Sequence, residues 1–162
     1  KKIQVATKKA ITDWAKNNQQ NCLDAIDHLL YCSETLLSPQ LTYVAVKGLP
    51  GEEYDAAIRN VTIHLKPEIL LRDIKTGEIK GFIKLVFSKT RAIDQLEAGI
   101  IVGAIKTHVE NLHRLKLKPE NCLILDVFHR RKHAAPKFLQ VNKTQIQMAC
   151  AEIAALWPTL NN

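Results

Sequence analysis

Residues 61–87 read VTIHLKPEILLRDIKTGEIKGFIKLVF. Val61-Thr62-Ile63-His64-Leu65 alternates apolar and polar side chains at the two-residue period of a strand. The run continues past Pro67 as Glu68-Ile69-Leu70-Leu71-Arg72. Proline has no N–H to give to a ladder, so the strand is expected to be broken, bulged or at an edge there. Asp73-Ile74-Lys75-Thr76-Gly77 is a turn, opened by an aspartate and closed by a glycine that tolerates positive φ. Ile79 to Phe87 returns as the partner strand. A β-hairpin from Val61 to Phe87 is the expected frame of the fold.

Outward from that hairpin, Leu41 to Lys47 alternates as a further strand, and Gly48 to Tyr54 carries the breakers Gly48, Pro50 and Gly51. Before it, Ile3, Ala6, Ala10, Ile11 and Trp14 share one helical face within residues 1–16. The polar run Asn17 to Asn21 is expected to end that helix and cap a second, whose apolar face is Leu23, Ile26, Leu29, Leu30 and Leu37 before Ser38-Pro39. After the hairpin, Arg91 to Leu115 is one long helix, with Ile93, Leu96, Ile100, Ile101, Ala104, Ile105, Val109 and Leu112 at helical spacing. Asn121 to Phe128 is a short apolar run that fits a central strand. A short returning strand precedes a last helix, capped by Asn142 or Thr144. Its apolar face is Ile146, Ala149, Cys150, Ile153 and Leu156, and Trp157-Pro158 is expected to stop it.

This order implies an α/β (α+β) fold over residues 1–162 as a single domain. Residues 1–20 form a helical extension and residues 21–162 an αβββαββα core. The core is a mixed central sheet with an antiparallel β-meander, a crossover helix and flanking helices. A length of 162 residues suits one domain, and 46% hydrophobic content supports a true core. No apolar run approaches the roughly 18 residues of a membrane span, and no secretory leader is legible. Cys22, Cys32, Cys122 and Cys150 form no Cys-x-x-Cys pair, so they read as reduced thiols and predict a cytoplasmic location.

The net charge is +7 and the pI about 9.3, which favours an anionic partner, nucleic acid or an acidic protein. DNA is expected ahead of RNA, although charge itself does not separate them. Lys89, Arg91, Arg130, Arg131, Lys132 and Lys137 follow strand ends, where they either contact phosphates or form solvated basic turns. Aromatic residues make up only 6%, which argues against a stacking platform for single strands. His64 is expected to face solvent. Asp126 is either a buried acid or a turn cap paired with Arg130.

Lys84 sits among Phe82, Ile83, Leu85, Val86 and Phe87. An ammonium in such a strand requires an anionic partner, and Glu68 on the facing arm is the obvious one. The pair is either a cross-strand ion pair or part of a site.

The order of elements, with Pro67-Glu68 and Lys84 across a hairpin, resembles the PD-(D/E)xK nuclease superfamily over roughly Asn21 to Pro136. The resemblance implies a restriction-endonuclease-like fold and Mg²⁺-dependent phosphodiester hydrolysis. It makes Glu68 the first metal-binding acid and Lys84 the lysine that orients the attacking water. The second acid belongs two residues before the lysine, where this chain has Phe82. Some members carry the missing acid on the following helix, which points to Glu97, 13 residues after Lys84, or to Asp94. Glu68, Glu97 and Asp94 would then be the metal ligands, and Glu68, Lys84 and Glu97 the catalytic set. Gln95 falls where recombination-type exonucleases of the superfamily place a glutamine, although their following tyrosine is Gly99 here. Asp24, Asp27 and Glu34 on the first core helix either complete a metal shell or are solvated charges. The alternative function is a catalytically inactive relative that binds nucleic acid or a protein.

Overall fold

The computed structural model describes residues 12–36, 41–45, 54–136 and 140–160. In chain order the elements are α1 (Asp13–Leu36), β1 (Leu41–Ala45), β2 (Asp55–Ile58), β3 (Val61–His64), β4 (Ile69–Asp73) and β5 (Ile79–Val86). They continue with α2 (Gln95–His113), β6 (Cys122–Asp126), β7 (Arg131–Ala134) and α3 (Gln140–Leu160).

Strands β1, β4, β5, β6 and β7 form one sheet in that order. β1, β4 and β5 are the antiparallel meander, β5 and β6 run parallel, and β7 returns antiparallel. The parallel step needs a crossover, and α2 supplies it. The mixed sheet with flanking helices is therefore as expected, but the hairpin is shorter. Its arms are β4 and β5, with Ile69 opposite Ile83 and a register shift at Leu71/Arg72.

Val61–His64 is not the start of the outgoing arm. It pairs with β2 in a separate two-stranded sheet, Ile58 opposite Val61. The two residues between them, Arg59 and Asn60, have φ of 52° and 64°, the geometry of a tight hairpin turn. That turn lacks glycine, so β2 carries no conventional signal. Leu65, Lys66, Pro67 and Glu68 separate β3 from β4, and hydrogen bonding to β5 resumes at the Glu68 N–H, which donates to Ile83 C=O at 3.1 Å.

Asp73 closes the main hairpin through the N–H groups of Lys75 and Thr76, both at 2.9 Å. Those N–H groups, Thr76 first, hold its carboxyl below the usual range. Gly77 follows with φ of 71°. Gly81 has a different reason: a Cβ there would lie 2.0 Å from Asn121 C=O, where the turn before β6 crosses β5.

The sheet separates two apolar clusters. Leu70, Phe82, Cys122 and Ile124 face α2, which contributes Ala98, Val102, Ile105 and Val109. Leu71, Ile83, Leu123 and Leu125 face the other way, against Cys32 of α1. From Phe82 onward in β5, and through β6, alternation sends even-numbered residues to α2 and odd-numbered ones to α1, whereas Ile79, beyond the register shift, packs on the α2 side.

Several helical expectations need correction. On α1, Ile26 and Leu30 of the expected apolar face are exposed, and α3 starts at Gln140, so Asn142 and Thr144 lie inside it and do not cap it. Asn17 to Asn21 does not end a helix: α1 runs unbroken from Asp13 to Leu36. Glutamine and asparagine cost a helix only tenths of a kcal/mol each, ~0.7 at most, and no Gly or Pro interrupts the run. Gln20 also donates to Asp24 at 2.8 Å, an i,i+4 contact that supports the turn. Pro158 does not stop α3 at Trp157: it falls in the last turn, where it forfeits little of the ladder, and the helix reaches Leu160. On α2, Leu96, Ile101 and Leu112 are exposed, and the buried face instead includes Lys106 and Glu110. On α3, Cys150 is buried while Ile153 and Leu156 are exposed. The helical face within residues 1–11, the stop at Ser38-Pro39 and the breakers at 48–51 lie outside the described residues.

Lys106 and Glu110 form an ion pair at 2.7 Å, and Glu110 also accepts from Leu117 N–H at 2.7 Å. Burial pushes the Glu110 carboxyl up, but Lys106 and the Leu117 N–H outweigh it and hold it below its ordinary range. All four cysteines are free, as expected. Among the described residues, no helix is long and apolar enough to cross a membrane.

Candidate functional site

The β4–β5 hairpin brings Glu68 and Lys84 together. Lys84 Nζ donates to Glu68 Oε1 at 2.6 Å and to Lys66 C=O at 3.1 Å. Glu68 Oε2 accepts the Leu85 N–H at 2.7 Å. Both carboxylate oxygens are therefore engaged within the hairpin itself. Lys84 shares the parity of Phe82 and Val86, so the pair lies on the α2 side of the sheet, next to its apolar cluster.

Phe82 is fully buried. It sits opposite Leu70 and beside Cys122, under the helix. The position that would hold a second acid is thus a core position.

Asp94 and Glu97 begin α2. Asp94 is its N-cap and accepts from Glu97 N–H at 2.8 Å, while Glu97 reaches back to Asp94 N–H at 3.3 Å. This reciprocal capping box satisfies two orphan donors of the helix. The other oxygen of Glu97 pairs with Arg91. Glu97, Arg91, Ser88, Val86 and Ile93 line a groove of about 350 Å³ between the end of β5 and α2. Gln95 Oε1 meets His133 Nδ1 at 2.9 Å, tying α2 to β7.

Asp126 ends β6 fully buried. It accepts from Ile93 N–H at 3.0 Å and lies 2.9 Å from His129 Nδ1. It also accepts the His129 N–H at 3.4 Å. It is the turn cap that the sequence suggested, with His129 rather than Arg130 as the pairing side chain. It also anchors the loop entering α2 to the central strand.

The basic residues collect at one end of the sheet. Lys89 and Arg91 follow the carboxyl end of β5; Arg130, Arg131 and Lys132 follow that of β6. Lys89 donates to Asn21 at 2.7 Å and to Asp24 at 2.9 Å on α1. Those bonds, Lys89 first and then Gln20, hold the Asp24 carboxyl below its usual range. Arg130, in the left-handed conformation with φ of 53°, donates from Nε to His28 Nδ1 at 3.1 Å. Arg131 and Lys132 are exposed at the start of β7, and Asp27 and Glu34 are exposed on α1. Lys137 lies outside the described residues. His64 is largely exposed and pairs with Asp55 of β2.

Sequence reasoning missed the rings at this end. His28 and Tyr31 of α1, Phe87 after β5 and Phe128 after β6 cluster around Lys89 and Arg130. No periodicity links residues so far apart in the chain. The only signal was that Phe87 and Phe128 each directly follow, or nearly follow, the end of an apolar strand.

A hard divalent cation takes carboxylate or carbonyl oxygens turned towards it. Here Glu68 and Glu97 each have both oxygens engaged by donors, Asp94 caps a helix, and Phe82 offers no ligand. Among the described residues, no three His, Cys, Asp or Glu side chains gather as metal ligands. As arranged, these residues do not fit a Mg²⁺ site. No protein-family model, curated protein or solved structure matches the chain.

Proposed function

We propose that this domain is a nuclease-like module that binds the phosphate backbone of nucleic acid, DNA ahead of RNA, without cleaving it. The observation that carries this reading is the convergence of cations at the carboxyl end of the parallel strand pair. Lys89, Arg91, Arg130, Arg131 and Lys132 arrive there from two segments about forty residues apart. Open α/β sheets bind ligands at that end, and a net charge of +7 supplies the long-range attraction. The sheet order and crossover helix support the PD-(D/E)xK resemblance in topology. The Glu68–Lys84 pair then serves as a cross-strand clamp on the hairpin.

The test is fluorescence anisotropy on labelled DNA over a salt series, beside a cleavage assay with Mg²⁺ or Mn²⁺. Binding is expected to weaken steeply with salt and to vary little with sequence. Arg131→Ala with Lys132→Ala should reduce the slope of log K against log salt by about 1.8 on duplex DNA, at ~0.9 per phosphate contact. Binding insensitive to salt refutes the reading. Metal-dependent cleavage abolished by both Lys84→Ala and Glu68→Ala replaces it with the hydrolytic one. If neither binding nor cleavage occurs, the domain serves a protein partner.

A further inference from the structure

We infer that the carboxyl end of the sheet also carries a base-stacking surface selective for single-stranded nucleic acid; this rests on the nucleic-acid reading above. Three separate segments bring aromatic rings to one place. His28 and Phe128 meet edge to face with centroids 5.4 Å apart, and Phe87 and Phe128 do so at 6.4 Å. Two cations lie over rings of the same group. Lys89 Nζ is 4.8 Å from the centroid of Phe128, and the Arg130 guanidinium is 4.4 Å from that of Tyr31.

A patch meant only to dock α1 would bury its rings. Instead Phe87 is 48% exposed and Tyr31 42% exposed. Trp157 and Tyr43 are also exposed, so what sets Phe87 and Tyr31 apart is not exposure alone but their grouping with further rings and two cations. Rings interleaved with cations are the chemistry that holds unpaired bases: the ring takes the base face and the cation takes the neighbouring phosphate. A duplex hides its base faces and cannot use the rings. An acidic protein segment would use the cations but meets the rings only where it happens to carry an aromatic side chain, whereas every nucleotide of a single strand sets a flat base beside a phosphate. The surface lies on the α1 side of the sheet, because its rings meet α1, whereas Glu68 and Lys84 lie on the α2 side. The rings therefore work independently of the carboxylate–lysine pair.

The experiment compares oligothymidylate with a blunt duplex, by anisotropy over a salt series, for the wild type, Phe87→Leu and Phe87→Trp. Phe87→Leu is expected to lose about tenfold in single-strand affinity, one ring's share of stacking, and to leave duplex affinity unchanged. The salt slope on the single strand should stay the same, because a ring neutralises no phosphate. Phe87→Trp should keep single-strand affinity. Leucine preserves apolar volume at a half-exposed position, and a melting curve checks that the fold persists. Ultraviolet crosslinking of an iodouracil-bearing strand to the wild type gives a second readout, mapped by mass spectrometry to Tyr31, Phe87 or Phe128. Equal loss on single strand and duplex, or no loss on either, overturns the stacking surface while the phosphate reading stands. Crosslinks confined to other regions also overturn it. Absence of binding to either substrate sinks the nucleic-acid reading itself.

Discussion

Replacing Lys84 by methionine tests directly whether the Glu68–Lys84 pair is a clamp or a site. Methionine keeps the length and apolar stem of lysine and removes the charge. Glu68 then keeps the Leu85 N–H at 2.7 Å but loses the ammonium at 2.6 Å. A hydrogen bond between charged partners contributes about 1.5–3 kcal/mol when well shielded. The two side chains are 28% and 38% exposed, so solvent screens a good part of that. The expected cost of Lys84→Met is therefore about 1–2 kcal/mol. Glu68→Gln should cost about 1 kcal/mol, because the amide oxygen still accepts from Leu85. In the double variant the shared interaction is removed once rather than twice, so the cycle should show a coupling of about 1 kcal/mol. Urea denaturation followed by far-UV circular dichroism measures all four corners, and for a chain of this length each kcal/mol appears as about 2–4 °C in Tm. Additive single effects would refute the clamp. So would stabilisation by Lys84→Met, the signature of a charge kept for function at the expense of stability.

Other outcomes follow from the same structure. Phe82→Glu should not rebuild a metal site: it places a carboxylate at a fully buried position and costs more than about 4 kcal/mol, seen as insoluble protein or loss of the cooperative melt. Gly81→Ala should cost at least about 2 kcal/mol by urea titration, because the new methyl meets backbone rather than a side chain that can move. Under native conditions a thiol reagent should modify one cysteine quickly, the exposed Cys22. Cys32, Cys122 and Cys150 are buried, and burial pushes the Cys122 thiol up to about 12. Glu110 contributes stability in full above its unfolded pKa, because its folded pKa is depressed, and that contribution is lost as pH falls through the folded value. The stability difference between wild type and Glu110→Gln should therefore shrink as pH falls below the ordinary value of 4.5.

The sheet was legible where local chemistry and tertiary packing agree. The Asp73–Gly77 turn, the apolar run of β6 and the alternation of β5 each carry their own signal, and each element forms where expected. β2 was not legible, because Arg59-Asn60 turns tightly without glycine and Asp55–Ile58 has no strong alternation. The helices misled at their ends and faces. Polar residues suggested a break in α1 where only Gly or Pro would impose one. On α2, the Lys106–Glu110 pair occupies buried space that a hydrophobic pattern assigns to leucine and isoleucine. Glu68 and Lys84 could be expected on neighbouring arms, but their meeting depends on the register shift at Leu71/Arg72, which simple strand spacing does not give. The contacts of the other candidate residues could not: Arg91, which engages Glu97, and the rings around Lys89 depend on how loops fold back.

Phe82 links the fold to the reading of function. In β5 it shares the α2 face with Lys84, and its ring fills the space between Leu70, Cys122 and the helix. Acidic ligands two residues before such a lysine need a polar opening at that point of the sheet. Here α2 closes it, anchored by the Asp126–Ile93 bond and capped by Asp94 and Glu97. The side chain is therefore not an isolated loss but part of a closed core, and one substitution cannot reopen it. With Glu68, Asp94 and Glu97 drawn into a clamp and a cap, the side chains gathered where β5 and β6 end are mainly cationic and aromatic. On the reading proposed above, that surface takes phosphates and bases, and the cleavage assay beside the binding assay decides whether hydrolysis accompanies binding.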